Sequence, residues 1–197
     1  GDYLSKCKNH LIIDLRNNSG GESTKMAKVL SYLCDKPMDR QKGGYLKVNK
    51  KGIFDMLKYS LNYTSDMKLY EDYEQREDGC YKRDSIETNS VIMPDTAINY
   101  KGKIYVLTNG YSASASTIFP SVLVRNRRGV TVGRETQSAY HRMTCLDYAD
   151  IKLPNTMQIV RIPMIQAVFD TTQCARVPMG RGLLPDYPFP LTFREVT

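Results

Sequence analysis

Ile104-Tyr105-Val106-Leu107-Thr108-Asn109-Gly110-Tyr111-Ser112-Ala113-Ser114-Ala115-Ser116-Thr117-Ile118-Phe119 is the stretch whose reading decides the fold. An apolar run of β type passes through small, hydroxyl-bearing residues into a helix-like segment that continues through Val124. A chain built this way presents a serine hydroxyl at a helix N-terminus. The first amides there lack intrahelical partners and the helix dipole is positive, so developing negative charge is favoured. Serine-nucleophile chemistry is the leading expectation, and the rest of the chain has to supply a base and an oxyanion hole.

Working outward, His10 to Leu15 is short and apolar and reads as a buried strand. Arg16-Asn17-Asn18-Ser19-Gly20-Gly21 follows as a polar, glycine-containing turn. From Glu22 a helical period puts Met26, Val29, Leu30 and Leu33 on one face, with Ser23 or Ser19 as the expected cap. Pro37 closes that unit. After the serine segment come a strand at Val130–Gly133 and a loop over 134–143. Two further strands, Ile151–Leu153 and Gln158–Pro163, flank the hairpin signal Pro154-Asn155. Recurring strand–turn–helix units predict an α/β fold with helices packed on a sheet. Residues 38–100 differ in texture and read as an insertion of hairpins and short helices. Its tyrosines (Tyr45, Tyr59, Tyr63, Tyr70, Tyr73, Tyr81) suit either a peptide groove or packing on a two-sided surface.

The length, 197 residues, fits a single domain spanning 1–197. The polar opening Gly1-Asp2-Tyr3 leads almost at once into the first strand, so the natural N-terminal part is expected to be missing. No apolar run approaches the roughly 18 residues of a spanning helix. Net charge is +7, with 16 Lys/Arg against 15 Asp/Glu in residues 1–100 and 12 against 6 in residues 101–197. Dense basic runs interleaved with aromatics are absent, so nucleic acid is not an expected partner. Arg125, Arg127 and Arg128 read as a solvated helix end or as a positive field for an anionic substrate end. The five cysteines are scattered, without a CxxC pair, and no zinc site is expected.

Three segments carry a family resemblance. Leu11-Ile12-Ile13-Asp14-Leu15-Arg16-Asn17-Asn18-Ser19-Gly20-Gly21 closely resembles the strand-and-glycine motif of the S41, or C-terminal processing (tail-specific), serine peptidases. Ser112-Ala113-Ser114-Ala115-Ser116 resembles their nucleophile motif, and Gly182-Leu183-Leu184-Pro185-Asp186 is similar to their closing Gly-Val-x-Pro-Asp pattern. The resemblance implies a ClpP/crotonase-like fold of repeated β-β-α units. It also implies Ser114 as nucleophile, and an oxyanion hole from the amides of Ala115 and of Gly20 or Gly21. The implied substrate is a polypeptide, cleaved near its C-terminus, no metal or organic cofactor is implied, and the implied setting is the periplasm or envelope of a bacterium.

A serine hydroxyl needs a neighbouring base. Where many S41 members carry a lysine this chain has Ala139, and Arg134 to His141 contain no lysine. A tricorn-related branch uses an upstream histidine supported by a serine and a glutamate, but Pro178-Met179-Gly180-Arg181 lacks that carboxylate. Three readings stay open: a base from an upstream region, His141 acting locally, or a degenerate scaffold that binds peptide without cutting it. Glu135 and Asp186 could orient a base, or serve as a loop charge and a turn residue.

Overall fold

The computed structural model describes residues 4, 9–46, 58–62, 74–75, 77, 81–83, 91–144, 148–171 and 177–190. In chain order its elements are β1 (His10–Asp14), α1 (Ser23–Leu33), β2 (Met38–Asp39), β3 (Gly43–Leu46), β4 (Glu74–Gln75), β5 (Tyr81–Arg83), β6 (Val91–Ile92), β7 (Lys103–Thr108), α2 (Ala115–Arg125), β8 (Val130–Gly133), β9 (Arg142–Thr144), β10 (Tyr148–Lys152), β11 (Ile159–Pro163), β12 (Ile165–Val168) and β13 (Tyr187–Pro188). They fall into two units. One comprises residues 1–40, 89–141 and 170–197, the other 41–88 and 142–169.

The first unit holds a four-stranded sheet in the order β1-β7-β8-β13, with every neighbour pair parallel. Parallel neighbours require a crossover, and α2 supplies the one between β7 and β8. Strand β7 alternates cleanly, burying Ile104, Val106 and Thr108 while Lys103 faces solvent. Helix α2 is buried continuously from Ser116 to Leu123, as its small and apolar residues on all sides allow. It packs against β8 and α1. Leu30 and Leu33 of α1 join Ile104, Val106, Val122 and Leu123 among the most deeply buried side chains.

Two details of α1 depart from expectation. Its N-cap is Glu22, with no side-chain capping bond, and neither Ser19 nor Ser23 caps it. Val29 is 43% exposed, so the buried face is carried by Met26, Leu30 and Leu33 alone.

The second unit contains a five-stranded sheet, β4-β5-β3-β12-β9, and the hairpin β10–β11, all of whose pairs are antiparallel. The hairpin turns at Pro154-Asn155, as read from the sequence. Strand β3, from the expected insertion, pairs with β12, so residues 142–169 share a sheet with residues 41–88. Arg142 lies over the Tyr45 ring at 6.0 Å and Lys58 over Tyr59 at 4.9 Å. Tyr63, Tyr70, Tyr73 and the Tyr81 side chain lie outside the described residues. So do Cys7, Cys80, Cys145 and Cys174, whereas Cys34 is a buried free thiol pushed up in pKa by burial. Among the described residues no helix is long and apolar enough to cross a membrane.

Candidate active site

Beyond the C-terminal end of β7 the chain makes a sharp turn into α2, and Ser114 is the N-cap of that helix. Its backbone sits at φ 51°, ψ −120°, a region that a side-chain-bearing residue rarely occupies. Such strain persists only where the surroundings over-determine it, and here they do. The Ser114 amide donates to Ser138 Oγ at 2.8 Å, and the Ser114 carbonyl accepts from the amides of Thr117 (2.8 Å) and Ile118 (3.0 Å). The flanking serines are spoken for. Ser112 Oγ donates to the Leu15 carbonyl at 2.7 Å, and Ser116 Oγ donates to Asn18 Oδ1 at 2.8 Å. Among the described residues nothing hydrogen-bonds Ser114 Oγ, so of the three hydroxyls it alone is unused.

The glycine turn after β1 is laced to the serine turn. Ala113 N–H donates to the Asn18 carbonyl at 3.0 Å, and the Asn109 side chain bonds Asn17 through both its amide nitrogen and its oxygen. Gly20 sits at φ 106°, and a Cβ there would lie 2.7 Å from Ser114 Cβ and 2.9 Å from the Ala115 nitrogen. Only glycine permits that approach. Asn18 Oδ1 accepts the Gly20 amide at 2.9 Å, so of the two candidate glycines it is Gly21 whose N–H has no acceptor among the described residues. The Ala115 N–H has none either. Two unsatisfied amides and an unused hydroxyl thus flank the Gly20–Ser114 contact. Gly20, Gly21, Ala115 and Ser116 line one cleft of about 400 Å³.

The loop over 134–141 forms the opposite support. Gln137 N–H donates to the Ser112 carbonyl at 2.9 Å, and Thr136 exchanges bonds with Leu183 through its amide and its hydroxyl. Gly182 lies so close to the Thr136 carbonyl that no Cβ would fit. Glu135 holds Arg181 in a two-pronged ion pair and accepts the Gly182 amide at 2.8 Å. The Arg181 bonds hold its carboxyl below the usual range, against the raising effect of partial burial. Asp186 Oδ2 accepts from the amide (2.8 Å) and hydroxyl (2.9 Å) of Thr131, closing the β8–β13 end of the sheet.

His141 is 2% exposed, its Nε2 is 2.7 Å from the Val177 carbonyl, and its ring stacks edge-on to Tyr140 at 4.9 Å. It makes no hydrogen bond to Ser114. Tyr140 donates to Asp170 Oδ2 at 2.9 Å, and burial pushes its phenol up to about 12. Sequence reasoning singled out Ser114, Ala115, Gly20 and Gly21, and the structure brings these four together. Ser138 and the side chain of Asn18 escaped it, because Ser138 acts through a bond to a distant backbone amide and Asn18 through one to the distant Ser116 hydroxyl. Among the described residues no group of three His, Cys, Asp or Glu could hold a metal. A larger cleft of about 490 Å³, lined by Lys101, Lys103, Arg127 and Arg128, lies at the opposite ends of β7 and β8 and includes none of the serine turn.

Comparison with known proteins gives a family and a fold. The model of peptidase family S41 matches residues 2–153. The chain is 26% identical over 127 residues to a tail-specific protease of Haemophilus influenzae, covering 64% of this chain and 12% of that protein. Among solved structures it resembles mature CPAF complexed with lactacystin, with TM-score 0.66 and 20% identity, over 99% of this chain and 42% of that one. It also resembles the photosystem II D1 C-terminal processing protease, with TM-score 0.51 and 17% identity, over 95% of this chain and 36% of that one. In each case the chain spans less than half of the protein it matches.

Proposed function

This chain belongs to peptidase family S41, and on that premise we propose that it is the catalytic part of a serine endopeptidase acting on polypeptides, in a ClpP/crotonase-like arrangement. Ser114 Oγ attacks the scissile carbonyl carbon, the C–N bond breaks, and the hydroxyl proton leaves on the departing amine. Water then hydrolyses the acyl-enzyme. The amides of Gly21 and Ala115 receive the oxyanion, and each such donor is worth roughly 3–4 kcal/mol to the transition state. Gly20 in this reading is a spacer, since its own amide is held by Asn18.

The observation that best supports the reading is the strained elbow at Ser114, φ 51°, with its hydroxyl unused beside two unsatisfied amides. A merely packed helix start has no need of that backbone, which costs about 1–3 kcal/mol. His141 is a structural residue here, buried and engaged by the Val177 carbonyl. A bacterial envelope setting and cleavage near substrate C-termini belong to the same proposal.

The test is fluorophosphonate labelling of the natural full-length chain, followed by intact mass. Oγ bonds phosphorus as fluoride departs with the hydroxyl proton. One adduct is expected on the parent, none on a Ser114→Ala protein that melts at the same temperature, and one on a folded His141→Asn protein. A folded parent that takes no label overturns the enzyme and favours a scaffold that only binds polypeptide.

A further inference from the structure

The cleft that begins at Gly20, Gly21 and Ala115 does not end there. Its walls are Ile13 and Leu15 from the end of β1, Met26 and Val29 from α1, and Phe119 from α2. At about 400 Å³ it sits at the low end of the roughly 300–1,000 Å³ typical of small-molecule sites, room for one side chain and not for a folded partner. Its side-chain polar groups are already paired. Asn18 Oδ1 takes both the Gly20 amide and the Ser116 hydroxyl, and the rim charges Glu22 and Lys25 neutralise one another at 2.9 Å. Away from the Gly21 and Ala115 amides, a charged or hydroxylated guest would lose its water without finding a free partner, whereas an apolar one would displace water from apolar walls.

We propose that this cleft is the specificity pocket for the substrate residue that donates the scissile carbonyl, and that it selects a large apolar side chain, of leucine to phenylalanine size. The proposal rests on the peptidase reading, because the same Gly21 and Ala115 that would hold the oxyanion form the cleft's inner end. A carbonyl oxygen held between those amides leaves its own residue's side chain at that same end of the cleft. Phe119 and Met26 are nearly buried and set its depth, whereas Val29, 43% exposed, stands where a larger residue would narrow it without disturbing the core.

The experiment is a series of acylated peptidyl diphenyl phosphonates carrying leucine, phenylalanine, alanine, aspartate or lysine side chains at the reacting residue. Ser114 Oγ displaces one phenol, which leaves with the hydroxyl proton, and the adduct rate on the natural full-length chain is read by intact mass. Leucine and phenylalanine probes should react about tenfold or more faster than alanine, the scale expected of a few buried methylenes, with aspartate and lysine slowest. A Val29→Trp protein should lose most of the leucine-to-alanine ratio while still labelling. Rates that ignore the side chain, or a ratio unchanged in Val29→Trp, overturn the pocket. If no probe labels, the peptidase reading fails first, and NMR of the Met26 methyl group decides the pocket alone. Shifts on titration with a leucine-terminated tripeptide but not an aspartate-terminated one uphold it; no shift overturns it.

Discussion

The serine turn and the loop over 134–141 face the same problem with opposite solutions. In the first, polar side chains are committed one by one until a single hydroxyl is left over. Ser112 holds Leu15, Ser116 holds Asn18, and Ser114 Oγ has no partner among the described residues. In the second, polar groups are mostly tied to fixed partners. Glu135 is locked to Arg181 and the Gly182 amide, Thr136 to Leu183, Tyr140 to Asp170, and His141 through Nε2 alone to the Val177 carbonyl, its buried Nδ1 having no partner among the described residues. The difference, on the proposed reading, separates a reactive element from its platform. Residue type alone does not mark a site: His141 is buried away from Ser114, whereas Ser138, a loop residue, bonds the Ser114 amide.

The sharpest way to break this division is to press on the contact where Gly20 meets Ser114. Gly20→Val places side-chain atoms within contact distance of Ser114 Cβ, the Ala113 carbonyl and the Ala115 nitrogen, at a φ that valine resists. One of the two turns must shift. We expect fluorophosphonate labelling to fall beyond detection, with about 2–4 kcal/mol lost from stability in urea unfolding. Gly21→Ala meets open space and should keep the fold. Equal damage from both would show that the Gly20 contact is not special.

A subtler break is Ser138→Ala. It removes the acceptor of the Ser114 amide and leaves that N–H unsatisfied at a strained residue. A loss of about 1–3 kcal/mol is typical, which in a rate is roughly 5- to 150-fold. As a positioning effect it should fall on the labelling rate more than on probe affinity, and Ser138→Thr, which keeps the hydroxyl, should restore most of it. Failure of threonine to rescue would make Ser138 a packing residue only.

Much of the first unit was legible because its signals are local. Apolar runs announced β1, β7 and β8 within a residue or so of their ends, and the Gly20-Gly21 and Ser112–Ser116 segments named the turns. What was not legible depends on pairing across the chain. Ser138 acts on a turn 24 residues away, and Asn18 satisfies two groups at once. The cap of α1 was misread because serines near a helix start are a propensity, and here Ser116 already occupies the Asn18 side chain while Glu22 binds Thr24 and Lys25. Val29 fits the apolar period of α1 yet stays open, because the cleft, not the core, lies against it. The sharing of one sheet by residues 41–88 and 142–169 is a long-range pairing that no local pattern encodes.

The smallest expected effect concerns the platform's ion pair. Arg181 is more than half exposed, so solvent screens it, and the pair alone is worth little. The added bond from the Gly182 amide brings the cost of Glu135→Gln to about 1–2 kcal/mol. Its pH dependence carries the diagnostic sign. The folded carboxyl titrates below its ordinary value of 4.5, so its contribution is complete above that value and drains away as pH falls through the folded one. The stability gap between parent and Glu135→Gln should therefore be constant at neutral pH and shrink as acid is added below about pH 4.5. Urea midpoints measured down that range read it directly. A gap that widened in acid would mean that Glu135 is held protonated, a donor and not an acceptor, and the platform would then rest on Thr136 and Tyr140 without it.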